Sequence, residues 1–174
     1  MKHIIFLVVF LSVILFNVKS IAECTSNRNL DITIIKPDSF YIDHGNGTVT
    51  DKSTGLMWQK CSLGLSGSNC GTGVVLTYNW QVALAVANEN SASGYTDWRL
   101  PNMKELESLV EVACNRPAIN QTIFPVTLNG FYWSSTQSVS TNFKNYSRGI
   151  SFVNGDSAIL IKNSGKYVRL VRGG

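Results

Sequence analysis

Hydrophobic and polar positions along the chain follow several different periods, and each period predicts a different kind of element. Residues 4–16 are an apolar run broken only by Ser12, with Lys2 before it and Ser20-Ile21-Ala22 after it. A basic start, a short apolar core and small residues behind it predict a secretory signal peptide at residues 1–22, cleaved after Ala22 or, as second choice, after Ser20. The run is shorter than the roughly 20 residues a membrane span needs. An uncleaved anchor is the alternative reading. A lipoprotein fits less well, because Glu23 stands before Cys24 where a lipobox needs a small residue.

Residues 23–38 read as a polar N-terminal arm ending near Pro37, in which Ile32-Thr33-Ile34-Ile35 could add a strand. From residue 39 to residue 174 the pattern is that of one domain. Phe40-Tyr41-Ile42, Asn46-Gly47 and Thr48-Val49-Thr50 form a hairpin signature, since Asn-Gly favours the type I′ turn. Leu56 to Gln59 is another extended segment. Trp80 to Asn90 carries Val82, Ala83, Val86 and Ala87 at helical spacing, with Thr77 or Asn79 as cap. Asn102 to Cys114 predicts a second helix: Asn102 and Glu105 have capping-box spacing, and Leu106, Leu109, Val110 and Ala113 trace one face.

After Pro125 the period returns to two. Strands are expected at Phe131 to Trp133, Tyr146 to Val153, Ala158 to Lys162 and Tyr167 to Val171. In the last, Val168, Leu170 and Arg172 share one face and Tyr167, Arg169 and Val171 the other. Two central helices between groups of short strands give an α+β class in which the terminal strands are expected to pair.

Composition changes this picture once the signal is set aside. The 174-residue precursor has a formal charge of +4 and 44% hydrophobic residues. Cleavage after Ala22 removes Lys2 and Lys19, leaving 13 bases against 11 acids, a net +2. So neutral a domain gives no composition argument for a nucleic acid partner. It also keeps a single histidine, His44, which removes most Ser/His/Asp, Cys/His and multi-histidine zinc arrangements. All four cysteines remain, Cys24, Cys61, Cys70 and Cys114, and an even count in an exported chain reads as two disulfides. Three pairings are open. The small, flexible loop from Leu63 to Asn69 favours Cys61 with Cys70, which leaves Cys24 for Cys114. No Cys-x-x-Cys spacing supports a redox site.

Six segments in order carry a resemblance: Gly45-Asn46-Gly47-Thr48-Val49-Thr50-Asp51, Thr54-Gly55-Leu56-Met57-Trp58-Gln59, Gly94 to Asn102, Glu105-Leu106, Tyr132-Trp133-Ser134-Ser135 and Tyr167 to Arg172. Over residues 39–172 the chain resembles the family named for the C-terminal domain of the Legionella collagen-like protein. More distantly, Arg99-Leu100-Pro101 ahead of a glutamate-bearing helix and the closing Tyr-Val-Arg-Leu-Val-Arg strand are similar to formylglycine-generating enzymes and their C-type-lectin-like fold. The resemblance implies a lectin-like α+β scaffold whose final strand pairs with an early one. It implies a bacterial exported or surface protein whose role is attachment, with polyanionic glycans as the ligand class. The distant enzymes use cysteines and metal late in the chain; no cysteine here follows Cys114, so that chemistry does not carry over.

Residue chemistry offers a few candidate sites. Asp97-Trp98-Arg99 gathers an acid, an indole and a guanidinium suited to holding a sugar. Its place between a Gly-Tyr turn and a capped helix instead assigns it to fixing that corner, with Arg99 paired to a carboxylate or backbone carbonyls and Trp98 in the core. Trp58 and Trp133 read the same way, as packing mass. Asp43, Asn46 and Asp51 are too few for a calcium loop, and His44 reads as a solvated turn residue. Charge is the remaining lead: Lys144, Arg148, Lys162, Lys166, Arg169 and Arg172 face one acid, Asp156, giving +5 after residue 143 and −3 over residues 23–143. Such asymmetry can make a local anion-binding patch; the alternative is a solvated sheet face with the bases spread over both sides, since Arg169 and Arg172 fall on opposite faces by alternation.

The sequence therefore predicts an exported, non-catalytic adhesion or ligand-binding domain for a polyanionic or complex glycan, with no cofactor and no metal. The alternative is a protein-interaction module of a bacterial surface assembly.

Overall fold

The computed structural model describes residue 24, residues 27–139 and residues 144–173. The expected signal peptide lies outside the described residues. The chain passes through β1 (Tyr41–Asp43), β2 (Thr48–Asp51), β3 (Met57–Gln59), β4 (Leu65–Ser66), β5 (Thr72–Gly73), α1 (Trp80–Asn88), α2 (Met103–Glu107), β6 (Phe131–Gln137), β7 (Tyr146–Ser151), β8 (Ser157–Ile161) and β9 (Val171–Arg172). They form three antiparallel sheets, ordered β1-β2-β3-β9, β4-β5 and β6-β7-β8. Two helices and several short antiparallel strands make the class α+β. Among the described residues no helix is long and apolar enough to cross a membrane.

The C-terminal segment joins the two larger sheets. Tyr167 bridges Tyr132 in parallel, and the last strand, β9, then pairs with β3. Its alternation is real, and from Val168 to Val171 both faces are buried, with Tyr167 and Arg172 half-buried at the ends. Val168 and Leu170 enter a core with Trp80, Trp98 and Trp133, while Val171 enters a second core with Trp58, Phe124 and Tyr132. The early partner is thus β3, and β1 lies at the far edge of its sheet. The expectation that the first and last strands pair is corrected on this point.

Three local expectations also change. The hairpin loop takes positive φ at Gly45 and Gly47 and not at Asn46, so it is not an Asn-Gly type I′ turn. The Asn46 side chain instead accepts from the Thr48 N–H and hydroxyl, stabilising the longer loop. The second helix stops at Glu107, where Ser108 bonds its hydroxyl back to the Glu105 carbonyl and the next turns close i→i−3. Beyond it Val110 bridges Ile119, and Leu109 and Ala113 are buried from an irregular backbone. The stretch from Ile32 to Ile35 is no strand, because the amides of Ile35 and Lys36 go to the buried Glu111 carboxylate at 2.9 and 2.6 Å.

That contact docks the arm on the domain. Glu111 also accepts from Ala113 N–H at 2.9 Å, and Asn120 donates to the Lys36 carbonyl at 3.0 Å. Disulfides join Cys24 to Cys114 and Cys61 to Cys70, the pairing the short Cys61–Cys70 loop favours.

Candidate functional site: a basic cleft beside the three-stranded sheet

The six C-terminal bases do not make one patch, because the two-residue period and the sheet boundaries separate them. Arg169, two residues before β9, is fully buried. Its guanidinium donates to the Gln59 carbonyl at 3.2 Å, to the Lys60 carbonyl, and to the Thr127 hydroxyl at 2.7 Å. It lies 4.8 Å from the Phe124 ring centre. Among the described residues no acid pairs with it, and burial pushes its pKa down. Arg169 is thus a core residue, and its assignment to the ligand patch is corrected.

Arg172 donates to Asp97 at 2.7 Å and stacks 4.0 Å from the centre of the Tyr95 ring. The Arg172 hydrogen bond holds Asp97 below the usual carboxylate range, and Asp97 in turn raises Arg172. Lys162 lies over Trp80 at 4.5 Å and Lys166 over Phe131 at 5.6 Å. Those three charges are each occupied by a partner on the protein itself.

Lys144 and Arg148 remain exposed, and neither has a charged partner among the described residues. Arg148 sits on β7 opposite Ile159. It lines a cleft of about 420 Å³ between α2 and the β6-β7-β8 sheet, together with Asn102, Lys104, Glu107, Thr136 and Ser157. The local sequence builds this cleft in two steps. A complete capping box between Asn102 and Glu105 starts α2. The Met103 N–H then donates to the Thr136 hydroxyl at 2.9 Å, and Ser135 N–H to the Pro101 carbonyl at 2.7 Å, which fasten the helix start to β6.

Lys104, Glu107, Thr136 and Ser157 were not singled out by sequence reasoning. No spacing or motif links them to Arg148; only the packing of α2 on the sheet does. Chemically the cleft offers two cations, one carboxylate and neutral hydroxyl and amide groups, a set suited to an isolated anionic group flanked by hydroxyls.

The other candidates have structural partners. Arg99 makes two hydrogen bonds to Glu105 at 2.7 and 2.8 Å and a third to the Gly173 carbonyl. The Trp98 indole donates to the Ala92 carbonyl and that of Trp133 to the Tyr78 carbonyl; Trp58 is fully buried. Asp43 pairs with Lys60 at 2.6 Å, Asp51 accepts from Ser53, and His44 meets the Thr50 hydroxyl at 2.8 Å. Among the described residues no three His, Cys, Asp or Glu side chains come together to hold a metal ion. Burial opposes ionisation of Asp43, and the Lys60 and Gly45 hydrogen bonds outweigh it, so its pKa lies below the ordinary value.

No curated protein matches the chain. The sequence profile of the Lcl C-terminal domain matches residues 47–172, which includes both helices, every cleft residue and all but the first of the main strands. By that match, over most of its length, the chain belongs to the Lcl C-terminal domain family.

Proposed function

We propose that the protein is an exported, non-catalytic attachment domain that holds an acidic glycan in the cleft between α2 and the β6-β7-β8 sheet. The observation that carries this reading is Arg148, an exposed guanidinium without an ion-pair partner among the described residues, set in a cleft with Lys104, Glu107 and neutral polar groups. A free arginine fork binds carboxylate or sulfate bidentately. Glu107 limits the net charge of the cleft, which favours sparse anionic groups among hydroxyls over a densely sulfated chain.

Family membership supports a role at the bacterial surface, as a domain of collagen-like surface proteins, and the two disulfides support an extracytoplasmic place for it. The closing strand beside an early one supports a lectin-like reading of the scaffold. The compartment we propose is extracytoplasmic: the periplasm, the secreted fraction or the cell surface.

Retention on immobilised acidic polysaccharides at two salt concentrations tests this. Arg148→Ala is expected to weaken binding about tenfold, with Lys104→Ala smaller, in a salt-dependent way. Lys166 lies over Phe131 and outside the cleft lining, so Lys166→Ala serves as a control and leaves retention unchanged. Binding that ignores both salt and Arg148 overturns the reading. Release of cleaved sugar from the matrix would make the protein an enzyme instead.

A further inference from the structure

Strand β8 is an open edge. It is the last strand of the β6-β7-β8 sheet, and its five residues, Ser157-Ala158-Ile159-Leu160-Ile161, contain no charge and no proline. Exposed edges of native sheets normally carry such residues to block pairing with another chain. Here the outward side chains are instead Ile159 and Ile161, 53% and 52% exposed.

The ladder decides which backbone groups are free. Lys162 N–H donates to the Asn145 carbonyl at 2.8 Å, and Ser151 N–H to the Asp156 carbonyl at 2.8 Å. Antiparallel alternation then directs the even-numbered residues of β8 toward β7 and turns the N–H and C=O of Ser157, Ile159 and Ile161 to the open edge. Among the described residues, only the Ile161 carbonyl of these groups is engaged, by Ser164.

The flanking charges identify the occupant. Asp156 lies three residues before Ile159 and Lys162 three residues after it. If a second β8 pairs antiparallel with Ile159 at the two-fold axis, each Asp156 falls opposite the other copy's Lys162. In that register the free N–H and C=O of the two Ile159 residues face each other, and each Ile161 N–H faces a Ser157 carbonyl. A foreign strand would need to reproduce this order of charges by chance, whereas a second copy supplies it by symmetry.

We propose that β8 is a self-pairing edge through which two copies of this chain join their three-stranded sheets into one continuous sheet. Ile159 and Ile161 are covered at the centre, and Asp156–Lys162 pairs close both ends. Lys162 reaches its partner from its seat over Trp80, and Asp156 from its contact with the Asn154 amide. A consequence follows for ligand valency. Arg148 is the cross-strand partner of Ile159, so the two Arg148 residues would share one face about 14 Å apart, three strand spacings. That consequence rests on the glycan reading, while the pairing itself does not.

Sedimentation equilibrium of the disulfide-intact protein over a range of concentrations, with no ligand present, tests the pairing. A monomer–dimer equilibrium is expected. Ile159→Lys is expected to give monomer throughout, with unchanged circular dichroism because the side chain is already exposed. Asp156→Lys sets like charges opposite each other at both ends and is expected to weaken dimerisation about tenfold, and Asp156→Lys combined with Lys162→Asp to restore it. A monomer at every concentration, a dimer indifferent to Ile159→Lys, or a double variant no tighter than Asp156→Lys alone would each overturn the proposal. Loss of glycan retention with the dimer intact would count against the glycan reading only.

Discussion

Arg99 and Glu105 face each other through two parallel hydrogen bonds, 2.7 Å from Nη1 to Oε2 and 2.8 Å from Nη2 to Oε1. The same carboxylate accepts the Asn102 N–H at 2.7 Å and so closes the capping box of α2. One glutamate thereby ties a helix start, the Arg99 segment and, through Arg99, the end of the chain at Gly173. Burial works against ionisation of Glu105, but the Arg99 and Asn102 hydrogen bonds prevail and hold its pKa below the ordinary 4.5. Because the folded value is the lower one, its contribution is fully present above pH 4.5. It is lost as pH falls from there through the folded pKa, where the unfolded chain takes up the proton first.

Glu105→Ala is therefore expected to lower stability by about 1–2 kcal/mol at neutral pH, a modest figure because solvent reaches Arg99. It should also flatten the loss of stability below pH 4.5. Urea denaturation at a series of pH values measures both; a variant whose acid limb is as steep as that of the parent would contradict the assignment.

Arg169 has the opposite environment, and the prediction differs accordingly. Truncation to Ala leaves the Gln59 and Lys60 carbonyls without their donor and opens a void beside Phe124. The expected cost is about 3–5 kcal/mol. Arg169→Met fills the space and is expected to cost less than Arg169→Ala. Equal melting temperatures for parent and Arg169→Ala would refute the core assignment.

Glu111 is expected to control the arm without contributing to the cleft. Glu111→Ala leaves the N–H groups of Ile35, Lys36 and Ala113 unpaired, at a cost of about 2–4 kcal/mol. The Ile35 and Lys36 amides should then exchange with deuterated solvent well before those of the domain, and retention on acidic glycan should persist in the protein that stays folded. Protection of the Ile35 and Lys36 amides equal to that in the parent would show that other contacts hold the arm.

The two disulfides should differ in weight. Cys24–Cys114 spans 90 residues and Cys61–Cys70 spans 9, so loop-closure entropy gives about 4–5 kcal/mol for the first and about 2–3 kcal/mol for the second. Paired Cys→Ser variants compared by guanidinium denaturation test the order, and a larger loss for the short loop would reverse it.

The candidate site was legible only in part. Arg148 stands out in the sequence as one base of a skewed C-terminal stretch. Its equals there, Arg169 and Arg172, end in the core and against Asp97, because alternation tells which side of a strand a residue takes and not whether that side is covered. Helical spacing from Leu106 to Ala113 signalled burial correctly, yet the backbone leaves the helix at Glu107. An apolar face can be buried by any backbone that turns it inward, and here Ser108 and the Val110–Ile119 bridge offered one.

By itself the sequence determined what is local or carried by order: the α+β class, the capping box at Asn102 and Glu105, the family motifs, and the short disulfide loop. Each depends on residues near one another in the chain or on a pattern that survives any packing. Tertiary structure alone decided that the C-terminal segment lies between two cores, which buries Arg169, and that α2 meets the sheet beside Arg148, which creates the cleft. Both depend on solvent exclusion by elements far apart in sequence. Only the assembled fold fixes which polar groups keep their water.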